Sequence, residues 1–503
     1  MAGNLHTTGT EQLIEPNAII TGFSVIFIVI SIVIGLYAAR KAKTAEQYFG
    51  GTKSFGPMTI ALASAAAIMS AFGFIGGPGL VYKFGYSSIW ITTSCGCGFS
   101  YAYWIMGKRI RGMAEIADIA TLPDIAYVRF RSEVVRGLLA IGLLIASIAY
   151  LSSQVKGGAK LINQMLGVSE HFGVIILFGT VLIYMTTSGM AGSIMTAAFQ
   201  GFVMILGSLC VIIGYFIITG GNAMPVIQNN PQYGPSFVDG IGNVPVHIVI
   251  TYVIVFFIGL MGQPQMLNRM YSLENPKGLK QAGIVSGLTY ALASMVWILV
   301  GYGALYIVAS GGHSPLVDPD KAAFLFLSKL GVYIQALVMA SLLAAIMSTA
   351  SFFISLATGS ITRDLFEVFG HKIPHERQIV WGRFLTLLVT GLAVAFGYFG
   401  GEMVAVLGTL GWGFFASVTL PTFTLGLHWK RTSKEAIISG LTVAIILNLV
   451  LVVLQRTQLF VLNFPYYLVS IAAAMVVTVL VSFFTDTAGG NNIPEDIKPI
   501  FNL

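Results

Sequence analysis

Long apolar runs separated by short polar stretches repeat along this chain from residue 17 to residue 484. A helix crossing the hydrocarbon core needs about 20 mostly apolar residues. Runs of that kind lie at 17–39, 57–82, 86–107, 135–164, 171–190, 193–220, 244–270, 281–309, 323–363, 378–399, 402–427, 434–455 and 463–484. They predict thirteen membrane-spanning helices, an all-α polytopic protein. The run at 323–363 is longer than a bilayer requires, which places its last turns in the cytosol. No linker or low-complexity segment interrupts the series, so residues 1–503 read as one transmembrane domain with a short polar tail after Phe484.

Composition closes off the soluble classes. Hydrophobic residues make up 56% of the chain and charged residues 9%, with a mean hydropathy of +0.84. A soluble domain carries about 25% charged residues, so this chain cannot cover a water-facing surface. The formal net charge of +7 would suggest nucleic acid, but the basic residues lie in short loops, the pattern of membrane topology. With the N-terminus outside, the cytoplasmic loops hold Arg40, Lys41, Lys43 and Lys53, then Lys108, Arg109, Arg111, Arg129, Arg131 and Arg136. They also hold Arg269, Lys277 and Lys280, then Arg363, Lys372, Arg377 and Arg383, then Lys430, Arg431 and Lys434, and finally Lys498. That is 21 of the 27 Lys and Arg. The outer side receives Lys83, Lys160, Lys321, Lys329 and Arg456, and Lys156 falls inside a span. The positive-inside rule therefore predicts N-terminus out and C-terminus in, in a bacterial inner membrane. Residues 1–16 are polar and show no signal peptide. Cys95, Cys97 and Cys210 all lie in apolar runs, against a disulfide framework.

Two spans contain helix breakers. In ASAAAIMSAFGFIGGPGLVYKFG, Gly73, Gly76, Gly77, Pro78 and Gly79 interrupt 57–82; in FFIGLMGQPQMLNR, Gly259, Gly262 and Pro264 interrupt 244–270. Glycine and proline weaken helices, and freed backbone groups inside a membrane are tolerated where they line a cavity. Small residues also permit close helix packing, but interruptions at matching places in two halves point to a transporter's binding site. A third signal is LLAAIMSTASF, where the adjacent hydroxyls Ser348 and Thr349, with Ser351 behind, lie deep in an apolar run. Intramembrane hydroxyls usually bond the preceding turn. Beside free carbonyls they could instead supply oxygens to a hard cation such as sodium.

These strings, with VKGGAKLI and LGLHWKRTSKEA, resemble the sodium/solute symporter family along nearly the whole chain. Their wording is most similar to its pantothenate and monocarboxylate branch; proline symporters share the GQP and differ nearby. The resemblance implies a five-plus-five inverted repeat, 57–220 and 244–399, with 17–39 as a leading helix and 402–484 as trailing helices. It implies sodium as the coupling ion, held by the carbonyls of Ala66, Met69 and Ala345 and the hydroxyls of Ser348 and Thr349. Ile68 and Ala197 stand where relatives often place acidic or amide residues, which leaves neutral oxygens alone to hold a single sodium, with no carboxylate to relay protons.

The substrate pocket is expected between the two breaks and the helix at 135–164. Ser70, Ala71 and Phe72 at the first break and Gln263 at the second are the candidate contacts, with Tyr150 matching a family position and Gln154 following at i+4. Phe256 and Leu260 fall where the proline branch carries aromatic contacts, and Trp412 is a candidate gate, a lone Trp in a span being more often packing. Lys156 favours an anionic solute, either by direct contact or by snorkelling into an outer vestibule. The seven histidines form no metal constellation, and the glycine clusters lie in spans, outside the strand-to-helix context that a phosphate loop requires. A passive channel, a membrane sensor, a proline-type symporter and an enzyme are the competing readings. No buried nucleophile or acid–base pair supports the last.

Overall fold

A computed structural model describes residues 12–40, 44–49, 53–371, 373–399, 403–460, 462–485 and 493–501. Lys41, Lys43 and Lys372 of the loop count, and residue Glu402 at the start of one expected span, lie outside the described residues. Among the described residues there is no strand, only an isolated bridge between Phe55 and Leu273.

The main helices are α1 (Ala18–Ala39), α2 (Pro57–Ile68), α3 (Gly77–Phe84), α4 (Ile89–Ile116), α5 (Leu122–Phe130), α6 (Glu133–Leu166) and α7 (Glu170–Thr219). There follow α8 (Val246–Val253), α9 (Pro264–Tyr271), α10 (Leu279–Ala309), α11 (Val332–Gly359), α12 (His375–Phe399), α13 (Val404–Thr419), α14 (Lys434–Arg456) and α15 (Tyr466–Thr485). Local chemistry sets several ends. Asn17, Ser132, Ser169 and Ser433 cap the N-termini of α1, α6, α7 and α14 with their side chains, and left-handed Gly167 and Gly220 close α6 and α7.

Among the described residues, ten helices are long and apolar enough to cross a membrane, eleven once the pair Pro57–Ile68 and Phe72–Ile116, bent by 54°, is included. Two of these pieces exceed one crossing. The 50 residues of α7 would span about 75 Å at 1.5 Å per residue, and the backbone leaves the helix at Gly189 (φ 56°, ψ −142°). A Cβ there would meet the carbonyl oxygen of Tyr48 at 2.3 Å, so only glycine fits.

The expected helix at 323–363 is corrected. Ala322–Leu327 forms a separate, wholly buried turn of helix, and α11 begins only at Val332 after Gly331 adopts extended backbone (φ −64°, ψ 147°). Its far end continues through a wider π turn, Ser360–Leu365, where Asp364 is buried. The surplus at the start of the expected helix is thus a separate buried turn and not a continuation of α11. Hydropathy could not register this, because the turn at Ser328–Gly331 keeps an apolar leucine.

Burial sorts the helices. The most apolar stretch of α11 is 94% buried, against 28% for α1 and α15 and 33% for α14. A helix apolar all round belongs in a core, and α11 packs most extensively against α7 and also against α6, α2 and α1. The peripheral helices turn their large apolar side chains outward, as a lipid-facing surface demands.

Candidate functional site

The first break is a real interruption. The α2 helix stops at Ile68, Met69 turns extended (φ −73°, ψ 114°), and the chain resumes as a π turn at Phe72–Gly76 before α3. Residues of α6 satisfy what the break exposes: Tyr150 Oη lies 3.0 Å from Ser70 Oγ, and the Ala71 N–H donates to Gln154 Oε1 at 3.0 Å. Gly157, the next residue on that face, lets α6 approach, since a Cβ there would sit 2.6 Å from Ala71 Cβ. The second break runs from a π turn at Ile254–Ile258 through Gly259–Gly262 to extended Gln263 (φ −74°, ψ 122°). The Gln263 amide donates to the carbonyls of Trp412 (3.2 Å) and Gly259 (3.3 Å).

The two hydroxyls of α11 face the first break. Ser348 Oγ stands 2.9 Å from the Ala66 carbonyl and 3.0 Å from that of Ala345; Thr349 Oγ1 stands 3.2 Å and 3.3 Å from those of Ala67 and Met69. All five residues expected around sodium are thus gathered, and Ala67 joins them. Each hydroxyl has one proton to give, so two protons face four carbonyl oxygens. That surplus of lone pairs, wholly neutral and fully buried, fits a hard monovalent cation.

An aromatic stack lies over the breaks. Phe72 stacks on Phe256 (5.9 Å between centroids) and meets Trp297 edge-on (5.0 Å), while Phe256 also packs on Trp412 (5.2 Å). Above it, on the side of Lys83, opens a cavity of about 500 Å³ lined by Leu80, Tyr252, Thr409, Arg456 and Tyr467 among others. Tyr150, Gln154, Phe256, Leu260, Gln263 and Trp412 are all buried. Leu260 points elsewhere: its Cδ2 packs against Gly98 of α4. Lys156 is half-buried, on a different face of α6 from the stripe of Tyr150, Gln154 and Gly157. Trp297, Phe353 and Phe415, the last two stacked on each other and tilted against Tyr150, were missed. An aromatic inside an apolar run carries no mark of which neighbour it will face.

Charged networks brace both ends. Lys160 of α6 bonds Asp318 (2.6 Å) and Asp320 (2.8 Å), and Asp320 also accepts the Val404 N–H at the head of α13 (3.1 Å). At the opposite end Arg136 bonds Asp124 (2.7 Å), Glu367 (2.9 Å) and Asp364 (3.0 Å), and Thr121 donates to Asp364 (2.9 Å). Four arginines assigned to loops, Arg111, Arg129, Arg136 and Arg269, are in fact buried. Arg111 and Arg129 hold the carbonyls of Leu273 and Gly426, so they seal helix ends rather than face water.

Two interrupted helices crossed by a hydroxyl-bearing helix define a membrane transporter of the broken-helix type. The profile of the sodium:solute symporter family matches residues 48–444, and the chain belongs to that family. It is 27% identical to the sodium/pantothenate symporter of Escherichia coli (strain K12), covering 86% of this chain and 90% of that one. It is 26% identical to the osmoregulated proline transporter OpuE of Bacillus subtilis (strain 168), covering 83% and 85%. A sodium/proline symporter of Staphylococcus aureus (strain JH9) is 25% identical over 86% of each chain. Pantothenate and proline relatives thus stand at one level of similarity and do not separate the branches. A Na+-coupled sialic acid symporter in a substrate-bound outward-open state shares the fold with a TM-score of 0.78 at 14% identity, covering 93% and 98%. A nucleobase-cation-symport-1 family transporter in a closed conformation follows at 0.53 and 12%, covering 92% and 98%.

Proposed function

We propose that this protein is a sodium-coupled importer of a small organic carboxylate, of the monocarboxylate or pantothenate kind, working by alternating access in a bacterial plasma membrane. The observation that carries it is the reach of Ser348 and Thr349 across to the carbonyls of the broken α2. Sodium held by Ala66, Met69, Ala345, Ser348 and Thr349 would tie α11 to the first break, so its affinity depends on whether those elements are together or apart. Substrate would lie between the breaks, against Ser70, Ala71, Phe72, Tyr150, Gln154, Phe256 and Gln263, under a gate that includes Trp412. Lys156 would lend the access route positive potential, whereas the charge of Lys160 is taken up by Asp318 and Asp320. In this reading α7 and the pair α2–α4 each contain two crossings, giving thirteen, with the N-terminus outside and two inverted five-helix halves. The bridge joining Phe55 to Leu273, which ties the start of one broken helix to the end of the other, accords with such symmetry.

Reconstituted protein should accumulate labelled pantothenate, pyruvate or acetate against a gradient when sodium is imposed outside. Ser348→Ala with Thr349→Ala should raise the half-saturating sodium concentration at least tenfold, about 1.4 kcal/mol of ion binding, with reconstitution yield unchanged. Transport that keeps its sodium dependence in that variant would remove the assigned ion site. A proline-type symporter is the second reading, favoured by the similarity to OpuE; sodium-driven uptake of proline and of none of the acids would establish it.

A further inference from the structure

Of the four buried arginines, Arg269 is the one whose guanidinium keeps a free edge. It lies on α9, the half-helix after the second break, and is wholly buried. Its Nη1 approaches Met190 Sδ at 3.6 Å, and its guanidinium lies 5.2 Å from the centroid of the Phe352 ring. Among the described residues no carboxylate is within salt-bridge distance of it. Nε and Nη2 are buried without a partner. Those two N–H groups form one edge of the guanidinium, the edge that grips a carboxylate with two parallel hydrogen bonds. One turn back on the same helix, at i−4, Gln265 is equally buried, and both of its amide atoms lack partners.

A buried, unpaired cation is among the costliest groups a membrane protein can keep, and it marks a functional position by default. Packing alone does not call for a cation here, since the side chains Arg269 touches are those of Met190 and Phe352. Phe352 is three residues past Thr349, about 5 Å further along α11, toward the end that holds Asp364. The free edge of Arg269 thus lies between the hydroxyl pair and the Arg136 network.

We infer that Arg269 and Gln265 form a second carboxylate site, below the central one, which takes the solute's carboxylate on its way to the cytosol. The inference rests on the proposed reading of the solute as a carboxylate. The site is enclosed in the present conformation and becomes accessible when α9 moves away from α11. A carboxylate held there neutralises the charge of Arg269, so anion and sodium favour each other's presence until both leave.

The test uses proteoliposomes under an imposed sodium gradient, with labelled pantothenate, pyruvate and acetate outside and the same acid, unlabelled, loaded inside at increasing concentration. In wild-type protein internal acid should slow uptake by occupying the inner site. In Arg269→Gln the internal concentration that halves uptake should rise at least tenfold, and by more than any change in the external half-saturating concentration. Gln265→Leu should move it the same way by a smaller factor. Arg269→Lys keeps the charge but not the two-toothed edge, and should fall between wild type and Arg269→Gln. It also decides the matter if Arg269→Gln does not reconstitute. Equal internal inhibition in wild type and Arg269→Lys would overturn the inference while leaving carboxylate transport standing. Equal shifts on both sides would place Arg269 in the central site and also overturn it. Wild-type uptake of none of the three acids would instead refute the proposed substrate class, and the inner site with it.

Discussion

Serine and threonine inside membrane helices ordinarily return their proton to the carbonyl one turn back. Ser24, Ser147 and Thr180 do so, bonding Ile20, Leu143 and Ile176. Ser348 and Thr349 differ because α2 stops short beside them and offers carbonyls from another helix. Their position beside the break was legible in the sequence from two features together, adjacent hydroxyls in one apolar run and breakers in another. Ala67 was not legible, because a backbone carbonyl leaves no trace in residue identity. Arg269 was misplaced for a related reason: it ends an apolar run, and only the packing of other helices decides whether such an end is wet. Tyr150 offers a direct check at this scale. Tyr150→Phe removes its hydrogen bond to Ser70, a loss of about 1 kcal/mol. The half-saturating solute concentration in initial-rate uptake should rise about fivefold, with the sodium requirement little changed.

Among elements, the helices whose breaks carry Gly and Pro were the easiest to read and the turn at Ser328–Gly331 the hardest. Gly77, Pro78 and Pro264 announce themselves; a helix that halts, turns and restarts inside a predicted span does not. The short helix Leu122–Phe130 was not anticipated either, since nine residues cannot span and its Thr121–Asp124 capping box is common in soluble loops. Yet this helix presents Asp124 to Arg136 of α6, beside Asp364 and Glu367 beyond α11. Removing the one cation from that buried group leaves carboxylates facing each other. Breaking such a pair costs about 3–5 kcal/mol. Arg136→Gln should therefore lower the thermal unfolding temperature of purified protein by several degrees, and Arg136→Gln with Asp364→Asn should recover part of the loss. A double variant no more stable than the single one would show that the network does not act as a unit.

For the molecule as a whole, hydropathy conveyed the class, and loop charge conveyed an orientation that can be tested directly. Lys83 and Lys280 are both exposed, and the positive-inside rule places them on opposite faces. Lys83→Cys should react with a membrane-impermeant maleimide on intact cells and Lys280→Cys only after permeabilisation; the reverse pattern would invert the protein. The meeting place of the two breaks was legible as a region but not as a shape. Its packing depends on how Phe72, Phe256, Trp297 and Trp412 from four segments meet, which no local pattern encodes.

The wholly neutral oxygen shell around Ser348 and Thr349 bears on electricity as well as chemistry. A site without fixed charge adds none to its cargo, so the charge that moves is the sum of the passengers. One sodium travelling with one monocarboxylate carries zero, whereas one sodium travelling with zwitterionic proline carries one. Diffusion potentials set with potassium and valinomycin across proteoliposomes should then leave the initial uptake of the acid unchanged, and an inside-negative potential should speed uptake only if the passenger is proline. The response to voltage alone would thus tell the two branches of the family apart.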